Sequence, residues 1–188
     1  MKVSIEMPAL PMAVVVAGTV VRGRPNFMPA GWVTMANMSP PQLSIAVAKG
    51  RYTAEGILEA GAFSINLVTA EMVEKADYCG LFSGRDTDKS DVFETFKGEL
   101  EMAPLITDSP MAAECLVART LELPTHYLFV GEVKNAYADE KYVENGKADL
   151  LGMRPLVLTM PDNHYRMLGE TVAQAWDVGR RLKIAEKR

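Results

Sequence analysis

Asn26-Phe27-Met28-Pro29-Ala30-Gly31-Trp32-Val33-Thr34-Met35-Ala36 is the stretch on which the reading of this chain turns. Its second half, Gly31–Ala36, has the β-branched and aromatic content of a short strand. Side chains alternate faces along a strand, so Trp32 and Thr34 share one side while Val33 and Met35 point to the other. Upstream, Ala13–Val21 is rich in valine and runs into Arg22-Gly23-Arg24-Pro25, a buried strand followed by a turn. Downstream, Ser39-Pro40-Pro41 lacks two backbone donors and cannot lie in a central strand. Gln42–Ala48 alternates well enough to be the third strand.

Thr53 reads as the N-cap of a helix over Ala54–Ala60, with Ile57 and Leu58 inward and Gly61 as the stop. Phe63–Leu67 is the next strand. Thr69 opens a second helix, Ala70–Tyr78, closed near Gly80. Ser83–Ser90 is polar, charged and Gly-containing, hence a loop. Glu114–Leu121 and Tyr127–Ala136 are two long strands joined around Pro124-Thr125, and Pro155–Thr159 is a last strand. The tail, Val172–Arg188, reads as a helix or a frayed arm and ends basic. Strands dominate and no β-α-β alternation is present, so the chain is mainly β, with a mostly antiparallel sheet whose closure would remove its edges.

The 188 residues fit a single domain over 1–188, large enough to bury a core without staples. The net charge of -4 argues against a phosphate backbone as main partner, so no nucleic acid is expected. Cys79 and Cys115 form no CxxC pair and read as free thiols of a cytoplasmic protein. The N-terminal apolar run is too short to span a bilayer, so no membrane is expected. Neither GxGxxG nor GxxxxGK[ST] nor GxSxG occurs. Only His126 and His164 could serve as imidazole bases or metal ligands, and no metal site is expected.

The quoted stretch is followed in order by Pro40–Val47, by Arg51-Tyr52-Thr53 and by Gly61–Leu67. Gly80-Leu81-Phe82-Ser83-Gly84-Arg85 with Lys89, and His126 with Phe129–Val133, come later. Together this series resembles the flavin reductase-like, FMN-binding split-barrel family, especially its flavoredoxin and archaeal ferric reductase branch. The resemblance implies a six-stranded antiparallel split β-barrel with short flanking helices, assembled as a homodimer with FMN near the subunit interface. It implies phosphate contacts from Arg51 and Thr53, where a helix start supplies free N–H groups and a positive dipole end. It implies contacts from Ser83 and Lys89 in the loop, Trp32 beside the flavin ring, and Asn26 and Thr34 at the ring edge or ribityl chain. Met35 would lend backbone groups, and Tyr165 would cover the flavin late in the chain. His126 stands where the family commonly shows Asp-His; here the pair is Thr125-His126, which removes a partner able to fix the tautomer.

Three functions fit this reading. In the first, NADH or NADPH donates a hydride to bound FMN, which reduces free flavin, ferric iron or a protein. In the second, the chain is a flavoredoxin-type electron carrier without nicotinamide turnover, served by a redox partner protein. In the third it is a non-redox binding module. No residue is assigned a catalytic role, because the cofactor carries the chemistry.

Overall fold

The computed structural model describes residues 10–182. Its centre is a seven-stranded antiparallel sheet. In chain order the strands are β1 (Val15–Val21), β2 (Arg24–Ala30), β3 (Val33–Asn37), β4 (Gln42–Ala48), β5 (Ala62–Leu67), β6 (Met111–Glu122) and β7 (His126–Ala138). Their spatial order is β2-β1-β5-β6-β7-β4-β3. β2 and β3 therefore lie at opposite edges, yet only Gly31 and Trp32 separate them in sequence. Two residues cannot cross an open sheet whose strands stand about 4.8 Å apart. The sheet must curl until its edges meet, and Gly31-Trp32 is the seam of the resulting split barrel.

β1 explains the unbroken valine run. Val15 and Ala17 face the barrel interior with Ile45, Phe63 and Phe129. Val14 and Val16 face a second layer with Phe27, Met72 and Ala76. A strand buried on both faces has no polar side to show.

Two helices flank the sheet, α1 (Tyr52–Ala60) and α2 (Val73–Leu81), the latter extended at its start by a 3-10 turn over Ala70–Met72. A short helix α3 (Leu150–Met153) precedes the hairpin of β8 (Leu156–Thr159) and β9 (His164–Met167), which pairs with Met12–Ala13 as a separate three-stranded sheet. Among the described residues no helix is long and apolar enough to cross a membrane.

Several local expectations need correction. Arg24 and Pro25 belong to β2 rather than to a turn, and β3 begins only at Val33. Thr53 is not the cap of α1: Arg51 holds that position, without a side-chain cap bond, and Thr53 sits buried in the first turn. Ile57 is buried as expected, but Leu58 is 49% exposed. Gly61 does end α1, with φ 64 and its N–H donating to the Ile57 carbonyl. α2 runs through Gly80 to Leu81. Gly80 is small because a Cβ there would stand 2.8 Å from Pro29 Cγ of β2. Leu156–Thr159 is not the last strand, since β9 follows. The tail forms a 3-10 turn at Val178–Arg181, and its final residues, 183–188, lie outside the described part.

Candidate functional site

Two depressions meet beside the seam. The first, about 70 Å³, is walled by Met28, Arg51, Thr53, Cys79, Ser83 and Lys89. The second, about 280 Å³, is an open cleft between the end of β2 and the end of β4, with Trp32, Ala46, Gly80 and His126 on its walls. Met28 and Arg51 line both, so they form one continuous site.

The smaller pocket is cationic. Lys89 is only 5% exposed, and its Nζ donates to the carbonyls of Cys79 at 2.8 Å and Phe27 at 3.2 Å. Neither partner carries charge. Burial lowers the Lys89 pKa, the Cys79 thiol opposes that shift, and the Arg51 guanidinium adds to it. Arg51 donates to the Gly80 carbonyl at 3.2 Å. Two cations thus repel one another beside an uncapped helix start, and an anion between them would relieve the repulsion. The Cys79 thiol is pushed up to about 11, first by burial, with Lys89 pulling the other way. It therefore stays protonated and is no nucleophile at neutral pH.

Asn26 bridges β2 to α1 by donating Nδ2–H to the Thr53 hydroxyl at 2.8 Å. Its carbonyl oxygen is buried and has no hydrogen-bond partner among the described residues. A buried acceptor left unmatched costs about 1–3 kcal/mol, so this oxygen asks for a donor such as a ligand hydroxyl. Gly84 leaves the room: a Cβ there would collide with Asn26 Oδ1 and lie 2.7 Å from the Tyr52 ring. The sequence places Gly84 in the loop that carries the family resemblance but does not single it out as a site residue, and the α2 carbonyls leave no signal there. The Ser-Gly-Arg turn after a helix was the available signal for the first. Arg85 braces the loop, pairing with Glu55, donating to the Gly50 carbonyl at 2.9 Å and lying over the Tyr52 ring.

The cleft is aromatic at its mouth. Trp32, 46% exposed, stacks on His126 with centroids 4.8 Å apart and planes 30° from parallel. Their meeting follows from strand register: Ala46 donates its N–H to the Trp32 carbonyl, and His126 pairs with Ala48 across β7 and β4. The Thr125 hydroxyl lies 2.8 Å from His126 Nδ1, so the neighbouring threonine orients the ring.

Of the ten residues expected at a site, Trp32, Arg51, Thr53, Ser83, Lys89 and His126 line these two depressions; Asn26 stands beside them through its bond to Thr53 and lines a neighbouring pocket of about 400 Å³ that shares Tyr52, Gly84 and Lys89 with the first. Ser83 also accepts from the Arg85 N–H at 3.2 Å, shaping the loop start. Thr34 and Met35 are exposed on edge strand β3 and line neither depression. Tyr165 lies elsewhere as well: its hydroxyl donates to Asp77 of α2 at 2.7 Å.

The fold and site define an antiparallel split-barrel protein in which a cationic pocket opens into an aromatic cleft. The chain belongs to the flavin reductase like family, whose domain model matches residues 7–168. It is similar to the flavoredoxin of Methanosarcina acetivorans, with 46% identity, TM-score 0.93 and 97% of this chain covering 100% of that one. It is also similar to the flavoredoxin of Desulfovibrio vulgaris, with 32% identity, TM-score 0.86 and 95% of this chain covering 100% of that one. A ferric-chelate reductase (NAD(P)H) of Archaeoglobus fulgidus is 30% identical over 134 residues, 63% of this chain and 76% of the relative. A longer relative from Aeropyrum pernix is 31% identical over 159 residues, 82% of this chain but 59% of that protein's length.

Proposed function

We propose that this chain binds one FMN and serves as an NAD(P)H-dependent flavin or ferric reductase, passing electrons through the bound flavin. The observation that carries the reading is the buried Lys89, solvated only by neutral carbonyls, at the closed end of a cleft walled by Trp32 and His126. Arg51, Lys89 and the first N–H groups of α1 would take the phosphate, and Ser83 would add a hydroxyl. The Asn26 carbonyl would accept from the ribityl chain. Trp32 and His126 would flank the ring and exclude water from one side of it. When bound, the flavin supplies hydride acceptance and one-electron transfer; the protein supplies placement. The open side of the cleft leaves access for NADH or NADPH as transient donor. Thr34 and Met35 on the exposed edge strand would reach a flavin only across a subunit boundary.

A homodimer is part of the proposal. Leu121, Leu128 and Ala46 are directly paired across β6, β7 and β4, so they share one face. That face continues past Trp32, with Arg119 and Glu132 further along it, an apolar centre with a charged margin of the kind an isologous interface uses. Two buried thiols, Cys79 and Cys115, with no disulfide between them, support a reducing cytoplasm as the setting.

The similarity to flavoredoxins over nearly the whole chain favours a second reading, an electron carrier reduced by a partner protein. Anaerobic titration separates the two. Flavin bands that bleach with NADH or NADPH establish the reductase. Bands that persist with both but bleach with dithionite establish the carrier. A purified protein that neither contains nor takes up FMN overturns the site assignment.

A further inference from the structure

We propose that Gly169–Leu182 is an arm that closes onto a second copy of this chain, with Trp176 as its anchor. The inference rests on the dimer put forward above, not on the reaction.

Every residue from Arg166 to Arg180 is exposed. Val172 is 97% exposed and Trp176 95%, and an indole left in water forgoes the large apolar burial that tryptophan offers to an interface. Among the described residues the hydrogen bonds of the segment stay within it: Val178 donates to Gln174, Arg180 to Asp177 and Trp176, and Leu182 to Gly179. Trp176 also holds φ 59. A bulky residue in that region is strained and persists only where surroundings fix it. The described residues of its own protomer offer no such surroundings.

Charge points to this chain as the partner. The arm is itself neutral, Glu170 and Asp177 matching Arg180 and Arg181, but the sequence after it, 183–188, adds three basic side chains and one acidic; in a chain of net charge -4 the acidic excess therefore lies in the body before the arm. The body also presents exposed apolar residues of its own, Met35, Met38 and Leu121. Two copies related by a two-fold axis would satisfy arm and body reciprocally and close the assembly. Fourteen extended residues reach up to about 45 Å, enough to cross a neighbouring protomer of this size. Tryptophan is the residue most enriched among the anchors of such interfaces.

The test compares the full chain, a chain ending at Leu168 and Trp176→Ala by sedimentation equilibrium. Alongside, acrylamide quenching is measured in Trp32→Phe, where Trp176 is the remaining tryptophan. Support is a dimer whose dissociation constant rises at least tenfold on truncation or in Trp176→Ala, with Trp176 shielded from quencher until dilution separates the subunits. Three results overturn the proposal. One is a monomer at all concentrations. Another is a dimer in which Trp176 quenches as freely as a solvated indole. The third is a Trp176 shielded independently of concentration with dimerisation untouched by truncation, which would mean that the arm folds onto its own body. Flavin content is read in the same samples, so a failed FMN assignment and a failed arm exchange remain separate outcomes.

Discussion

The Asn26 amide and the Thr53 hydroxyl meet at 2.8 Å, joining β2 to the first turn of α1 and leaving the Asn26 carbonyl oxygen unmatched. A buried acceptor left unmatched beside the site is an unfinished hydrogen bond. Asn26→Ala should weaken FMN binding about tenfold, corresponding to about 1.4 kcal/mol. The measurement is fluorescence titration of apoprotein with FMN. An unchanged affinity would assign Asn26 a purely structural role.

Gly84→Ala places a methyl against Asn26 and the Tyr52 ring. Because the collision is with the site and not with the barrel core, FMN affinity should fall tenfold or more while the barrel keeps its strand signal in circular dichroism. Equal loss of both would show that the loop packs as part of the core.

Lys89 would make the proposed phosphate site pH-dependent. Its pKa is lowered in the fold, by burial first, so the empty protein sheds this proton before the unfolded chain does. Between the lowered value and the ordinary lysine value near 10.4 the unfolded chain holds more protons, and apoprotein stability rises with pH across that window. FMN affinity runs the other way, falling as pH climbs through the lowered pKa. Lys89→Met should cost at least tenfold in affinity at pH 7 and abolish this alkaline decline. A decline that survives the substitution would point to another titrating group.

Tyr165→Phe removes the bond to Asp77. The expected loss is about 1 kcal/mol, a drop in melting temperature of roughly 2–4 °C for a chain of this length, with FMN affinity unchanged. The Tyr165 hydroxyl, pushed up to about 12 by burial and by Asp77, stays protonated throughout the neutral range. Reduced affinity without reduced stability would return Tyr165 to the flavin.

Glu114 governs acid resistance. It is fully buried. Burial pushes its pKa up, but the Leu100 and Glu99 N–H groups, the Asn135 amide and the Tyr137 hydroxyl outweigh burial and hold it below the ordinary glutamate value. Its stabilisation is present above the unfolded glutamate pKa near 4.3 and is lost as pH falls through the lower folded value. Glu114→Gln should flatten the acid limb of stability against pH in urea unfolding, while an unaltered limb would place acid sensitivity elsewhere.

Much of this was legible in the residues. The valine run of β1, the helix start near Thr53 with its glycine stop, and the two long strands around Pro124-Thr125 all declare themselves through periodicity and turn chemistry. β2 did not, because Pro25 and Pro29 argue against a strand. They are tolerated there because β2 is an edge, with one side needing no ladder donor. Trp32, Arg51, Lys89 and His126 were each visible as candidates, but their convergence depends on register between strands far apart in sequence. The orphaned Asn26 oxygen and the carbonyls that hold Lys89 are products of tertiary packing and leave no local signature. Thr34 and Met35 share a motif with Trp32 but follow β3 out along the edge, away from the cleft.

The cleft straddles the seam, with Met28, Pro29 and Ala30 from one sheet edge and Ala46 to Ala48 from the strand beside the other. Covalently, Gly31-Trp32 is the short link between those edges. A ligand lodged there works as a clasp on the barrel, so loading and rigidity become one thermodynamic quantity. Each tenfold rise in free ligand above saturation should tighten the clasp by about 1.4 kcal/mol, and stripping it should loosen first the two edges it spans.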